Sequence, residues 1–439
     1  MVSRTAFGGS AYAGQDMKVM VGTACQLTDP ETPLSGRLVA EEPMTSLERM
    51  AARGVLRLLA LLALFACVLA APIDALVPAV SADSSDDDHS RGRMIGRRLF
   101  ERETFGGNGR TCLTCHGRET GTVSPADAQE RFLADPDDPL FRGDGSDDGA
   151  GNGLTRMLAD ATVLMNSPLA PNVSLVHDPK ARTVVLPRGI PTTLNTPALD
   201  PVLMYDGRQP DLLFQALSAI IDHAQATRLP GRKELENLVD FEHSRRFFSS
   251  KVLRKFARTG HAPSLPLGRS ESEKRGRRFF EDVPLGTGNS KPGNCGACHS
   301  GPMLNETNEF EPFGRGERFR SILVSELNAA DNPVMDFVFR DADGTTTVVS
   351  TPDAGRALIT GDASDPIESV NAFKIPSLWG VSRTAPYFHD NSAKSLEDVL
   401  RHYAQFFAIV TDPSIDGDPP LILTEQDQAD IIAFLKLLR

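Results

Sequence analysis

The chain has 439 residues, of which 40% are hydrophobic and 24% charged, and a formal net charge of −12. These are the proportions of a folded chain long enough for two domains, and the negative balance excludes nucleic acid as a partner. Of its six cysteines, Cys25 and Cys67 sit near the N-terminus and the other four form two Cys-x-x-Cys pairs, which leaves none for an ordinary disulfide framework.

Residues 1–82 read as an N-terminal extension and signal peptide. Arg49, Arg53 and Arg57 precede an apolar run from Leu58 to Ala71, and Val80-Ser81-Ala82 offers small residues for cleavage. The run of about 14 residues is short for a bilayer, which needs about 20. Export to the periplasm is therefore expected, with no stable membrane span in the mature protein. Cys67 resembles a lipoprotein cysteine only faintly, because Phe65 fits that pattern poorly.

Residues 96–117, GRRLFERETFGGNGRTCLTCHG, and 276–301, GRRFFEDVPLGTGNSKPGNCGACHSG, repeat one phrase. A repeat separated by about half the remaining chain predicts two similar domains in tandem, 83–270 and 271–439. Cysteines at i and i+3 fall on one side of a helical turn, where both can form thioethers with one haem, and the histidine that follows ligates the iron. Cys112, Cys115 and His116, and then Cys295, Cys298 and His299, are read as two covalent haem c sites with His116 and His299 on iron. A zinc site built from the four cysteines would leave both histidines unexplained. A dithiol redox pair belongs inside a βαβ pattern that the sequence lacks.

Between the motifs, the acidic stretch 135–153 lacks the spaced ligands of a calcium loop and is read as solvated. Residues 212–230, LLFQALSAIIDHAQATRLP, predict a helix ending near Pro230, with His223 and Gln225 close to its end. In SLEDVLRHYAQFF (395–407), Leu396, Val399, Leu400, Tyr403 and Phe407 form one helical stripe behind a Ser395 cap. Tyr403 faces inward on that pattern, and His402 lies about 100° off it.

Several phrases beyond the motifs resemble the bacterial di-haem cytochrome c peroxidase superfamily, which includes the MauG enzymes that mature a quinone cofactor. They are GIPTTLNTPALDPVLMYDGR (189–208), FKIPSLWGVSRTAPYFHDNSAKSLEDVLRHY (373–403) and the closing LTEQDQADIIAFLKLL. The resemblance implies a mainly α protein of two cytochrome c-like domains with facing haems. The first haem would meet hydrogen peroxide or another small oxidant, and the second would take electrons from a redox protein. The family's interhaem tryptophan falls on Tyr205 and its catalytic glutamate on Gln225. The asparagine of its calcium loop falls on Gly189, whereas Thr384 and Pro386 are retained, which leaves an interhaem calcium open. His223 is either a distal group that orients peroxide or a structural histidine. At the second haem the family places methionine or tyrosine where Tyr403 stands, so Tyr403 is the expected ligand, with Met335 or a purely packing role for Tyr403 as alternatives. The expected function is a haem oxidoreductase of the peroxidase type. A non-catalytic electron-transfer cytochrome, and an oxygenase or cofactor-maturing enzyme on the same scaffold, stand beside it.

Overall fold

The computed structural model describes residues 86–312, 314–328, 332–411 and 419–439; the expected signal segment lies outside them. In chain order the first elements are α1 (Asp86–Arg102), α2 (Cys112–Cys115), α3 (Pro125–Ala134), α4 (Thr155–Asp160), β1 (Thr162–Pro168), β2 (Val173–Leu175) and β3 (Thr183–Gly189). Then come α5 (Thr196–Leu199), α6 (Leu212–Asp222), α7 (Arg232–Glu242), α8 (Lys251–Thr259) and α9 (Glu271–Arg278). The last are β4 (Phe319–Arg320), α10 (Val324–Leu327), β5 (Met335–Arg340), β6 (Thr346–Thr351), α11 (Ala357–Thr360), β7 (Phe373–Lys374), α12 (Leu396–Val410) and α13 (Glu425–Leu435).

Two helix crossings explain the first half of the repeated phrase. α1 packs on α7, and α9 packs on α13. A Cβ on Gly96 would lie 1.8 Å from the carbonyl oxygen of Asn237, and one on Gly276 would lie 1.9 Å from that of Asp430. Only glycine lets the two backbones come so close. Four residues further on, Phe100 meets Phe241 at 5.5 Å and Phe280 meets Phe434 at 5.1 Å between ring centroids. The Gly-Arg-Arg-apolar-Phe phrase is thus a crossing signature, and its phenylalanine shares a core with the first cysteine of the motif that follows.

Each crossing belongs to its own apolar core. One gathers Phe100, Phe105, Ile220, Leu238 and Phe247; the other gathers Phe280, Met303, Trp379, Leu400 and Phe434. Helices dominate, but three small sheets occur that the sequence reading did not contain. β1 pairs antiparallel with β3, β2–β5–β6 form a three-stranded sheet, and β4 pairs with β7. Phe337 and Phe339 of β5 point into a third core with Leu186 and Leu358, all four fully buried. Since β2 and β5 come from opposite sides of residue 270, Ala82–Arg439 forms one compact unit.

Two helices depart from their predicted form. α6 stops at Asp222, because the Gly/Asn turn before the first motif captures its end. Asn108 Nδ2 donates to the carbonyl of His223 at 3.0 Å, and the Asn108 backbone N–H donates to that of Ala224 at 2.9 Å. α12 does begin at the Ser395 cap, whose hydroxyl accepts from the Asp398 N–H, but its buried face is wider than the stripe. His402 is also buried, donating from Nε2 to the Ile322 carbonyl at 2.8 Å and packing 4.7 Å from the Phe388 ring. Among the described residues no helix is long and apolar enough to cross a membrane.

Candidate functional site

The first motif folds as a single helical turn, α2. The Thr111 N–H donates to Thr114 Oγ1 at 2.9 Å, and the His116 N–H closes the turn on the Cys112 carbonyl at 2.9 Å. His116 Nδ1 then donates to the Gly121 carbonyl at 2.8 Å, which fixes the tautomer and leaves Nε2 as the available ligand nitrogen. Burial lowers the pKa of His116, more than the Gly121 bond raises it, so the ring stays neutral. Cys112 and Cys115 are free thiols whose ionisation burial opposes.

These three residues line a cleft. Its wall is largely apolar, with Phe105, Ile190, Met204, Ala216 and Ile220, and Tyr205, His223, Arg188 and Glu242 add polar groups. Two thiols on one helical turn, one neutral imidazole nitrogen and an apolar slot fit a haem attached at Cys112 and Cys115 and ligated by His116.

The cleft also holds chemistry the sequence reading did not find. His223 Nδ1 lies 2.5 Å from Asp144 Oδ2, while its Nε2 has no protein partner among the described residues. Asp144 comes from the acidic stretch read as solvated. Instead it is mostly buried and paired with Arg110, and Ser146 two residues on is fully buried. Gln225 is displaced from its expected place. It is exposed, adopts φ 51°, accepts from Asn108 Nδ2 at 3.3 Å and does not line the cleft. Tyr205 does line it, with its phenol pKa raised by burial and then by the charge of Asp390. Arg188 is buried between Asp353, at 2.6 and 2.9 Å, and Asp206, at 2.6 Å. Glu242 is 6% exposed, its Oε2 lacks a partner, and burial pushes its pKa up to about 8.

The second motif repeats the first in its histidine. His299 Nδ1 donates to the Leu304 carbonyl at 2.9 Å, and burial keeps the ring neutral. Burial pushes the Cys295 and Cys298 thiols up to about 12. Tyr403 packs on the core that contains Met303, Trp379 and Leu400, with Cys295 at the same core's edge. Burial raises its phenol pKa well above the ordinary value, and the two cysteines beside it add to the effect. Met335, the alternative ligand, lies on β5 and packs against the sheet core instead. That core is separate from the one that Cys295 and Tyr403 pack against.

No family model matches the chain. The cytochrome-c peroxidase IdrP1 of Denitromonas iodatirespirans is 28% identical over 151 residues, 33% of this chain and 36% of that protein. The methylamine utilization protein MauG of Methylophilus methylotrophus is 25% identical over 282 residues, 59% of this chain and 70% of that protein. Over these stretches the chain is similar to di-haem cytochrome c peroxidases and MauG proteins. It spans little more than a third of the first of these relatives, by the 36% just given. A solved MauG-like protein associated with microbial copper homeostasis covers 82% of this chain and 90% of its own, at 19% identity and a TM-score of 0.44.

The residues at the expected calcium-loop positions are already engaged with one another and with backbone. A Cβ on Gly189 would lie 2.2 Å from Asn391 Oδ1, so Asn391 occupies the space above this position. Asn391 Nδ2 is itself spent on the carbonyls of Asp160 and Ala161, at 2.9 and 3.2 Å. The retained Thr384 hydroxyl donates to Val381 at 3.2 Å. These residues do not fit an interhaem calcium, and none is assigned.

Proposed function

We propose that this chain is an exported, periplasmic di-haem c-type oxidoreductase of the peroxidase type, built from cytochrome c-like domains at 83–270 and 271–439. One observation carries the reading: a single cleft brings Cys112, Cys115 and His116 together with His223, whose Nε2 is free to meet a small oxidant. A haem at each motif, when bound, supplies iron that exchanges electrons with hydrogen peroxide and with a redox protein partner.

The residues divide the remaining work. Cys112 with Cys115, and Cys295 with Cys298, anchor the two macrocycles, and His116 and His299 present Nε2 in orientations set by the carbonyls on their Nδ1 atoms. The apolar wall of the first cleft limits water, and His223 Nε2 accepts and returns a peroxide proton. Tyr205 stands where the superfamily has its interhaem tryptophan and lines that cleft. Tyr403 closes the second site as a ligand: its buried phenol resists ionisation unless a cation offsets the charge, and ferric iron is such a cation.

The test is mass and turnover together. The mature protein is expected to begin at Asp83, to weigh two haems more than its apoprotein, and to oxidise a reduced carrier on addition of hydrogen peroxide. Zinc in place of haem, or a mature N-terminus at a modified Cys67, would contradict the reading. Two haems without any response to peroxide would leave a non-catalytic electron carrier.

A further inference from the structure

The His223 ring is held by a carboxylate that a buried arginine holds in turn. Asp144 Oδ2 meets its Nδ1 at 2.5 Å, and Asp144 Oδ1 pairs with Arg110. Arg110, two residues before the first motif, is only 2% exposed. Its Nε donates to the Pro139 carbonyl at 2.8 Å, Nη2 to those of Leu140 and Arg142 at 2.7 and 2.5 Å, and Nη1 reaches the His223 carbonyl at 3.3 Å. A buried guanidinium thus pins the acidic stretch and the end of α6 to the motif. Burial would raise the Asp144 pKa, but the bonds and charges of His223 and Arg110 outweigh it and hold the carboxyl below the usual range.

We infer that Asp144 is a positioning residue that orients His223 as the proton relay of the first haem site, in the role the superfamily gives to a glutamate. This rests on the reading that haem binds at His116. An ionised carboxylate accepts the Nδ1 proton, so the Nε2 lone pair faces the cleft as a base. His223 takes one proton from the near oxygen of hydrogen peroxide and returns it to the far oxygen, which leaves as water when the O–O bond breaks. The proton count on His223 and Asp144 is unchanged at the end; the two electrons that reduce peroxide come through the haems from the redox partner, and two protons from solvent complete the second water from the near oxygen. The charged groups facing His223 are Asp144 on the acidic stretch and Arg110 before the motif, with His116 near enough for its pKa to feel His223. Arg188, Arg208 and Glu242 lie further round the same cleft.

Cyanide is the probe, because hydrogen cyanide must give up its proton as it binds ferric iron. Stopped-flow absorbance at the Soret band follows this binding, and its pH profile is read separately from peroxide turnover. His223→Gln, which leaves the Asp144–Arg110 pair intact, is expected to slow binding of both cyanide and peroxide by about 10²-fold or more. Asp144→Asn is expected to slow both comparably, since the anion that holds the Nδ1 proton and aims Nε2 at the cleft is gone. The double variant is expected to lose no more than either single one, and added imidazole to rescue His223→Gly but not the parent. Parent-like rates in both single variants would overturn the assignment. Failure of the underlying reading shows differently, as a parent protein whose first site has no Soret band or whose spectrum ignores cyanide.

Discussion

The two halves of the repeat share a holder and differ in what faces it. Gly96 and Gly276 sit at equivalent helix crossings, Phe100 and Phe280 pack on the partner helices, and His116 and His299 each tie Nδ1 to a carbonyl five residues on. Beyond the histidine the resemblance stops. The first motif opens on a cleft carrying His223, Tyr205, Arg188 and Glu242, and the second is pressed into a core with Met303, Trp379 and Tyr403. The lesson is that the repeated phrase specifies how a haem is gripped, and that residues far away in sequence specify what the haem can reach.

The largest effect should come from breaking one grip. Cys112→Ser with Cys115→Ser is expected to remove one haem from the intact mass and abolish the peroxide response, and Cys295→Ser with Cys298→Ser to remove the other. Next, Gly96→Val and Gly276→Val place a side chain into a neighbouring backbone, so each should cost about 3 kcal/mol or more in denaturant melts. Similar losses would support a common crossing; a tolerated change in one half would break the equivalence.

Tyr403→Phe should alter the absorption and EPR spectra of one haem, the His299 one, and leave the other nearly unchanged. An unaltered spectrum would make Tyr403 a packing residue. Glu242 sharpens the contrast through pH. Its folded pKa, about 8, is raised from 4.5, so its contribution to stability is complete below about pH 4.5 and is lost as pH rises towards 8. Glu242→Gln should therefore give a flatter stability curve across that window, with a gain on the order of 2 kcal/mol over the parent at its alkaline end. Parallel curves would show that the carboxyl is already ionised and paired. The smallest effect is expected from Gln225→Glu, which should change peroxide turnover by less than about twofold, because the side chain is exposed and does not line the cleft.

What could be read from the sequence was local. The Cys-x-x-Cys-His turns, the Ser395 cap and the inward face of α12 depend on residues within a few positions of one another, and periodicity carries them. The sheets could not be read this way, because β2 finds its partner in β5 more than 150 residues away. The acidic stretch was misjudged for a related reason. A run of aspartates looks solvated until a buried arginine, here Arg110, is brought against one of them by the fold. Gln225 was misplaced because the helix was followed to Pro230, while Asn108 ends it at Asp222. Glu242 carried no signal at all: it is one acid among many on a helix, and only its burial makes it unusual.

The central claim is that one haem site is open and the other closed, and EPR of the ferric holoprotein tests it most directly. The account predicts one high-spin signal and one low-spin signal, with cyanide or peroxide changing only the high-spin one. That response should disappear when Cys112 and Cys115 are replaced and persist when Tyr403 is. Two low-spin signals that ignore both ligands would contradict the account.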